Sequence, residues 1–150
     1  MKTIKLTKID CTLEDDMIPS YSTPGSAGMD LRAMSSDNFT LNPGQTSMFG
    51  TGFAIHIEDP SLCAMIFPRS GLSSKHGIKL ANTVGIIDSD YQGEIKVCLE
   101  NTSQIPYQIS YQERIAQIVF VPVVQVGGFE IVKSFEESER GTGGFGSTGK

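Results

Sequence analysis

Short apolar runs of about strand length recur along the whole chain, and helical periodicity is almost absent. Turn sequences separate these runs, among them Asn-Pro-Gly at 42–44, Gly-Thr-Gly at 50–52 and Asp-Ser-Asp at 88–90. Many short strands at this spacing predict an all-β fold, a jelly-roll β-barrel or antiparallel sandwich. The predicted strands are residues 3–9, 29–33, 38–41, 46–49, 52–57, 62–67, 94–99 and 115–121.

Three shorter features complete the predicted fold. Residues 71–76 are the one plausible helix, a turn or two long. Pro122 interrupts the apolar run 115–126, which suits a strand end, a sheet edge or a subunit contact. Residues 82–93 (NTVGIIDSDYQG) place two apolar residues before a tight acidic turn, and this pattern predicts a β-hairpin.

The composition of the chain changes near Lys133. An acidic stretch follows, and five of the 16 glycines then fall between residues 141 and 149. A segment so rich in glycine buries too little apolar surface to order itself. We therefore predict a folded domain over residues 1–133 and a flexible glycine-rich C-terminal arm over residues 134–150.

Composition and charge exclude several classes of protein. The formal net charge is −5, which argues against a nucleic-acid-binding surface over the whole molecule. No stretch approaches the roughly 20 apolar residues of a membrane span, and the N-terminus has no apolar signal region. The three cysteines have no metal-ligand spacing, and their odd number gives no complete disulfide set. We expect a reduced, cytoplasmic protein that binds neither nucleic acid nor membranes.

The glycine-rich arm matches two phosphate-binding patterns, but its context excludes both. Residues 141–146 fit G-x-G-x-x-G and residues 144–150 fit G-x-x-x-x-G-K, yet no strand precedes them and no helix follows. The arm still offers anion donors and one aromatic ring that could stack on a base. On composition alone, a disordered tail explains the same residues more simply.

Residues 67–77 form a second candidate site for an anion. Arg69 stands beside Ser70, Ser73 and Ser74 at a possible helix start, where side chains and free N–H groups could bind an anion together. Capping serines beside a surface arginine are an equally good explanation.

The predicted hairpin at 82–93 has a structural and a functional interpretation. Its backbone could form a slot for a small planar ligand, with Asp88 at the mouth orienting a water molecule. A plain hairpin explains the same residues. Neither His56 nor His76 has an evident catalytic partner in the sequence, so we expect both to be structural.

Five stretches, taken in order and at matching spacing, resemble the five motifs of the homotrimeric dUTPase family, most closely its bacterial members. All four arginines of the chain fall inside these stretches, and the similarity covers nearly the whole chain. The stretches are residues 27–33 (AGMDLRA), 68–77 (PRSGLSSKHG), 85–93 (GIIDSDYQG), 113–117 (ERIAQ) and 140–149 (RGTGGFGSTG).

The resemblance implies a jelly-roll homotrimer that hydrolyses dUTP to dUMP and pyrophosphate with Mg²⁺. Such an enzyme limits uracil incorporation into DNA and supplies dUMP for dTMP synthesis. The resemblance also implies active sites shared between subunits, with the C-terminal arm of one subunit closing over a site built by the others.

Individual roles follow from the same resemblance. Asp88 would activate the water that attacks the α-phosphorus, and Asp30 would act through water on Mg²⁺, whose direct ligands are substrate oxygens and waters. Arg32 and Arg114 would be supporting ion-pair residues. The uracil slot and deoxyribose contacts would come from Asn82, Ile86, Ile87, Tyr91 and the backbone near Lys96. The phosphates would be held by Arg69, Ser70, Gly71 and Gln117. The arm would contribute Arg140, Ser147 and Thr148 over the phosphates and Phe145 over the base.

Two other functions remain open at this point. The related dCTP deaminases share the fold, although the stretches 85–93 and 140–149 argue against deamination. A non-catalytic nucleotide-binding or protein-interaction trimer belongs to a different class, and the intact Asp88 and arm argue against it as the main role.

Overall fold

The structure, a computed structural model, describes residues 2–34 and 37–144. Strands dominate the described residues, with one short α-helix and a single 3-10 turn at Asp15–Met17. The elements are β1 (Lys5–Lys8), β2 (Met29–Arg32), β3 (Phe39–Leu41), β4 (Thr46–His56), β5 (Leu62–Pro68), α1 (Ser70–His76), β6 (Ile78–Leu80), β7 (Gly85–Ile87), β8 (Glu94–Asn101), β9 (Tyr107–Ile109) and β10 (Arg114–Pro122).

The strands form antiparallel sheets that share one core. One four-stranded sheet has the order β1-β4-β8-β6, a second has the order β2-β10-β5-β7, and β3 pairs with β9. The buried apolar cluster takes Ile95 and Leu99 from the first sheet and Leu31, Ile66 and Ile118 from the second. Each such side chain contributes about 1.5–3 kcal/mol when removed from water. The predicted all-β jelly-roll fold is confirmed.

Strand β4 corrects the predicted pair of strands at 46–49 and 52–57. It is one continuous strand whose register against β8 shifts between Gly50 and Ala54. Gly52 has a φ of 77°, a region that favours glycine, and its N–H donates to the Glu94 carboxylate over 3.1 Å. A Cβ on Gly50 would collide with the same carboxylate. The Gly-Thr-Gly sequence therefore encodes a β-bulge and not a turn.

The predicted β-hairpin at 82–93 is also wrong. Strand β7 pairs with β5, where Ile86 lies opposite Met65, whereas β8 pairs with β4 and β6 in the other sheet. The two strands are consecutive in sequence but belong to different sheets. Residues 88–93 therefore form a crossover loop, which carries Asp88 from one sheet to the other.

Other predicted features agree with the structure. The predicted helix is α1, which buries Leu72 and ends at Gly77 in the left-handed conformation. Pro122 is the last residue of β10, as expected where a strand ends. The predicted strands do not include β6, β7 or β9. Each of these has three residues, which is too short to show a period in the sequence.

Beyond β10 the chain leaves the sandwich. The Val123 N–H still donates to the Ser61 carbonyl over 2.8 Å, but the following apolar side chains are exposed, among them Val124, Phe129 and Ile131. No strand or helix occurs in the described part of this segment, residues 124–144. The domain boundary between residues 133 and 134 stays a prediction. Among the described residues, no helix is long and apolar enough to span a membrane.

We expect Asn101→Ala to lower the free energy of unfolding by about 2–4 kcal/mol. The Asn101 side chain is fully buried, donates to the carbonyls of Leu41 (2.9 Å) and Ile105 (2.8 Å), and accepts from the Ser103 N–H (2.9 Å). Truncation leaves these groups without partners. Urea denaturation measures the change. The exposed Asn42→Ala is the matched control, with an expected effect within about 0.5 kcal/mol, and equal losses in both variants would contradict this account.

Candidate active site

A cavity of about 370 Å³ lies where the two sheets meet the crossover loop. Its inner wall is apolar, with Ile66, Leu80 and Val97. Met48 and Cys98 also line it, and neither was predicted from the sequence. The described residues predicted to bind the base and sugar line this cavity together with the predicted catalytic group: Asn82, Ile86, Ile87, Asp88, Tyr91 and Lys96.

The pairing of β7 with β5 explains why the cavity has an apolar rim. Side chains alternate along a strand, so Ile86 points away from the core and is 62% exposed. A tight turn precedes β7, in which Thr83 has a φ of 65° and the Val84 N–H donates to the Asn82 carbonyl over 2.7 Å. The result is a slot with an exposed apolar side chain and backbone polar groups close by, which suits a planar heterocycle.

Tyr91 is held against the wall of this first cavity. Its hydroxyl donates to the Glu94 carbonyl over 3.2 Å, and its N–H donates to the Asp88 carbonyl over 3.2 Å. Gly93 permits this arrangement because a Cβ at that position would collide with the phenol ring. The ring therefore has one position, beside the mouth of the cavity.

Asp88 is exposed, and its carboxylate makes no hydrogen bond or ion pair with any described residue. An ionised carboxylate is purely an acceptor, with several free lone-pair positions. Asp88 is therefore available to accept a hydrogen bond from a water molecule at the mouth of the first cavity.

A second cavity, of about 420 Å³, is polar and collects the residues predicted to bind phosphate. Arg69 is at its centre, with Nε 2.9 Å from Asp30 Oδ1 and Nη1 donating to the Arg114 carbonyl over 3.1 Å. The Gln117 amide nitrogen donates to the Pro68 carbonyl over 3.0 Å. The predicted residues that line this cavity are Asp30, Arg69, Ser70, Gly71 and Gln117.

Cations and free N–H groups give the second cavity its chemistry. Ser70 and Gly71 begin α1, and the first N–H groups of a helix have no partner within it. Lys75 and His76, which were not predicted to take part, also line the cavity. Guanidinium, ammonium and amide donors in one place suit a phosphate group.

The same residues fit a metal held mainly by substrate. Among residues 2–34 and 37–144, no three His, Cys, Asp or Glu side chains lie together as a metal site. Asp30 lies between Arg69 (2.9 Å) and the Arg114 Nη1 (3.3 Å), so its charge is already neutralised. Mg²⁺ commonly keeps several waters and binds substrate phosphates. Asp30 therefore suits contact through a metal-bound water better than direct ligation.

Tyr107 is a wall residue of the second cavity that sequence reasoning missed. Its hydroxyl donates to Glu113 Oε1 over 2.7 Å, and the His76 ring packs against its ring with centroids 4.9 Å apart. Burial, and then the hydrogen bond to Glu113, raise the pKa of Tyr107 to about 12. No signal in the sequence marks Tyr107. It lies outside the five motifs, and its contact with Glu113 exists only in the fold.

Not every predicted residue reaches a cavity. Arg140 is exposed, and its Nε donates to the Gly143 carbonyl over 3.0 Å in a local turn. Arg32 donates to the Gln112 carbonyl over 2.8 Å and makes no ion pair with a described residue, whereas Arg114 does pair with Asp30 as expected. The remaining predicted arm residues lie outside the described part of the chain: Phe145, Ser147 and Thr148.

The two cavities are separate. Among the described residues, no lining residue is common to both. The first belongs to the β7–β8 crossover, whereas the second lies around β2, α1 and β10. The groups suited to a base and those suited to phosphates are thus divided within one chain.

Comparison with known proteins identifies the family. The family model for dUTPase matches residues 14–149. Deoxyuridine 5'-triphosphate nucleotidohydrolase of Nitrosospira multiformis is 54% identical over 150 residues, covering 100% of this chain and 99% of the relative. The protein of the same name from Hahella chejuensis is 56% identical over 151 residues, covering 99% of each.

Solved structures agree with the fold. A mutant of the Staphylococcus bacteriophage 80alpha dUTPase, solved with dUpNHpp, has a TM-score of 0.83 at 25% identity and covers 100% of both chains. Another mutant of the phage 80alpha enzyme has a TM-score of 0.83 at 24% identity, with 97% of this chain and 98% of that chain covered. The fold together with these relatives thus defines a jelly-roll hydrolase. Within that class, the chain belongs to the dUTPase family.

We expect Tyr107→Phe to remove a pH-dependent part of the stability. A pKa raised to about 12 in the folded protein means that the native state holds this proton more tightly than the unfolded chain. The contribution is complete below about pH 10 and is lost as pH rises towards about 12. Urea unfolding at a series of pH values should therefore show the wild type losing its advantage over Tyr107→Phe across that window. A constant difference between the two proteins from about pH 9 to 12 would contradict this assignment.

Proposed function

We propose that this chain hydrolyses dUTP to dUMP and pyrophosphate. The observation that carries the proposal is the unpartnered Asp88 carboxylate at the mouth of a slot that suits a planar base. The relatives described above bear the name deoxyuridine 5'-triphosphate nucleotidohydrolase, and the phage enzyme of similar fold was solved with the dUTP analogue dUpNHpp.

The slot would select uracil and deoxyribose. Backbone polar groups beside Asn82 and Lys96 would pair with the uracil edge, and cytosine would leave some of them unpaired, which costs about 1–3 kcal/mol for each buried group. Ile86 and Ile87 would pack against the base and leave no room for the 5-methyl group of thymine. Tyr91, held in one position by Glu94, would pack against the sugar and exclude a 2′-hydroxyl.

The second cavity would hold the phosphate chain. A triphosphate carries about four negative charges, so a protein of net charge −5 has to concentrate its cations at one place. Arg69 would bind phosphate oxygens through its guanidinium group, and the Gln117 amide and the N–H groups of Ser70 and Gly71 would add donors. Each of these residues lines the second cavity.

Asp88 would carry the chemical step. Its carboxylate would orient a water molecule and accept the proton as the water oxygen bonds to the α-phosphorus. The bond from the α-phosphorus to the bridging oxygen breaks, and pyrophosphate leaves with that oxygen and its electron pair. No covalent intermediate is required, and phosphoryl transfer of this kind depends mainly on positioning and charge neutralisation.

Mg²⁺ is the proposed cofactor. When bound, it would neutralise charge on the phosphate oxygens. Asp30 would hold it through a metal-bound water, and this fits a carboxylate that already lies between Arg69 and Arg114.

We further propose that the active site is shared between copies in a homotrimer. One nucleotide has to contact a base slot and a phosphate site, and these are separate cavities in one chain. The exposed apolar side chains that follow β10 also need a covering surface, and a second copy supplies one. They are Val124, Val126, Phe129, Ile131 and Phe135.

The C-terminal arm, residues 134–150, would close over the filled site of neighbouring subunits. Arg140, Ser147 and Thr148 would contact the phosphates, and Phe145 would cover the base. Closure would exclude bulk water during the reaction and then allow product release. In the cytoplasm the activity would limit uracil incorporation into DNA and supply dUMP for dTMP synthesis.

We expect Asp88→Asn to abolish pyrophosphate release from dUTP while leaving dUpNHpp binding within about twofold, because the amide keeps its size but accepts no proton. Asp90→Asn is the matched control in the same loop. It does not line the first cavity, and most of the activity should remain. Steady-state pyrophosphate release and calorimetric titration measure the two quantities.

Substrate selectivity is tested by measuring pyrophosphate release by the wild type from dUTP, dCTP, dTTP and UTP, each with and without Mg²⁺. Turnover of dUTP alone, dependent on Mg²⁺, is the expected result. Ammonia release from dCTP would identify a deaminase instead. Wild-type turnover by Asp88→Asn would overturn the proposed mechanism.

A further inference from the structure

The crossover loop that carries Asp88 also has a second side, away from the base slot. A cavity of about 610 Å³ lies there, lined by His56, Glu58 and Cys63 together with residues 88–90. The turn between β4 and β5 forms the opposite wall of this cavity. We propose that His56, Glu58 and Gln92 form a clamp that positions Asp88 for the chemical step. This inference rests on the proposed function.

The first contact of the clamp uses the backbone. The Glu58 N–H donates to the Ser89 carbonyl over 3.0 Å, directly after Asp88 in the chain. Glu58 has a φ of 60°, which is uncommon for a residue with a Cβ. That conformation directs the N–H towards the crossover loop. Ordinary extended backbone at Glu58 would break the contact.

The second contact uses two side chains at the other end of the loop. The Gln92 amide nitrogen lies 3.3 Å from Nε2 and 3.4 Å from Nδ1 of the His56 ring, and Nδ1 also lies 3.4 Å from Glu58 Oε1. The His56 ring thus contacts one side chain from the crossover loop and one from the turn between β4 and β5. Contacts with Ser89, inside the acidic turn, and with Gln92, after it, thus hold the loop at two points.

The clamp is anchored on the first sheet. His56 is the last residue of β4 and lies opposite Lys5 of β1, and the next residue, Ile57, is 2% exposed. The Lys5 ammonium lies 2.7 Å from Glu58 Oε1 and so restrains that side chain too. The turn that follows β4 is thus held by the end of that strand, by the buried Ile57 and by the ion pair between Lys5 and Glu58. It therefore supports the crossover loop.

Asp88 needs such support because its own side chain has none. Its carboxylate makes no hydrogen bond or ion pair with a described residue, so its position depends mainly on the backbone of residues 88–93. By contrast, Ile86 and Ile87 sit on β7, which β5 holds by strand pairing. Loosening the clamp should therefore disturb the catalytic carboxylate and leave the β7 wall of the base slot intact, while the hydrogen bond from the Tyr91 hydroxyl to the Glu94 carbonyl still holds that ring. The expected signature is a loss in kcat with little change in KM.

The test uses Gln92→Met and His56→Phe, which keep much of the side-chain volume and remove the hydrogen bond, together with the double variant. Each single variant should lower kcat for dUTP by about 10- to 100-fold with KM within about twofold. The kcat of the double variant should be no lower than that of the less active single variant, because both substitutions break the same contact between His56 and Gln92. Gln92→Glu gives the His56 ring a new polar partner, so its kcat should be higher than that of Gln92→Met.

A second readout does not depend on activity. Hydrogen–deuterium exchange of the amides in residues 88–93 should be faster in Gln92→Met than in the wild type, and unchanged in residues 85–87. Gln108→Met is the matched control, an exposed glutamine on β9, a strand that pairs with β3 and not with the strands that flank the loop. Its kcat and its exchange should equal those of the wild type.

Several outcomes overturn the clamp: wild-type kcat in Gln92→Met, a raised KM at unchanged kcat, or losses that multiply in the double variant. Gln92 is exposed, so its variant should fold even if His56→Phe does not. If the wild type fails to release pyrophosphate from dUTP, the proposed function is wrong. Hydrogen–deuterium exchange then tests whether the clamp holds the loop. Faster exchange at 88–93 in Gln92→Met then supports it, and unchanged exchange overturns it.

Discussion

The antiparallel pairing of β10 with both β2 and β5 is the constraint on which the second cavity, the proposed phosphate site, depends. Gln117 lies opposite Asp30 on one neighbour and opposite Phe67 on the other, and Arg69 follows two residues later. Three segments far apart in sequence therefore meet around one position of a central strand. Because side chains alternate along a strand, a slip of one residue would turn Gln117 to the opposite face and separate it from the Pro68 carbonyl.

The first cavity, the proposed base slot, depends on a different constraint, the assignment of β7 and β8 to different sheets. Because β7 pairs with β5, the chain has to cross between sheets at residues 88–93 before β8 joins β4. That crossing exposes Asp88 beside an apolar slot. It also keeps the slot separate from the phosphate cavity, since the two lie on different strands. The same topology that builds each cavity thus keeps the two cavities apart within one chain.

Much of the fold and site could be predicted because the signals are local. Strand β8 alternates buried and exposed positions, and Pro122 ends β10 for reasons visible in the sequence. The bulge in β4 could not be predicted, because Gly50-Thr-Gly52 has the composition of a turn and only the distant Glu94 makes it part of a strand. Tyr107 was missed for a similar reason, since its role depends on a partner known only from the fold.

The central claim, that an active site needs residues from two copies, is tested most directly by combining two inactive chains. Asp88→Asn removes the catalytic group from the base slot, and Arg69→Gln removes the main cation from the phosphate cavity. The variants are coexpressed with different tags and purified through both. If one copy supplies the slot and its neighbour the phosphate site, each mixed trimer contains one intact site and about a third of wild-type activity returns. Mixed trimers as inactive as either parent would contradict the account.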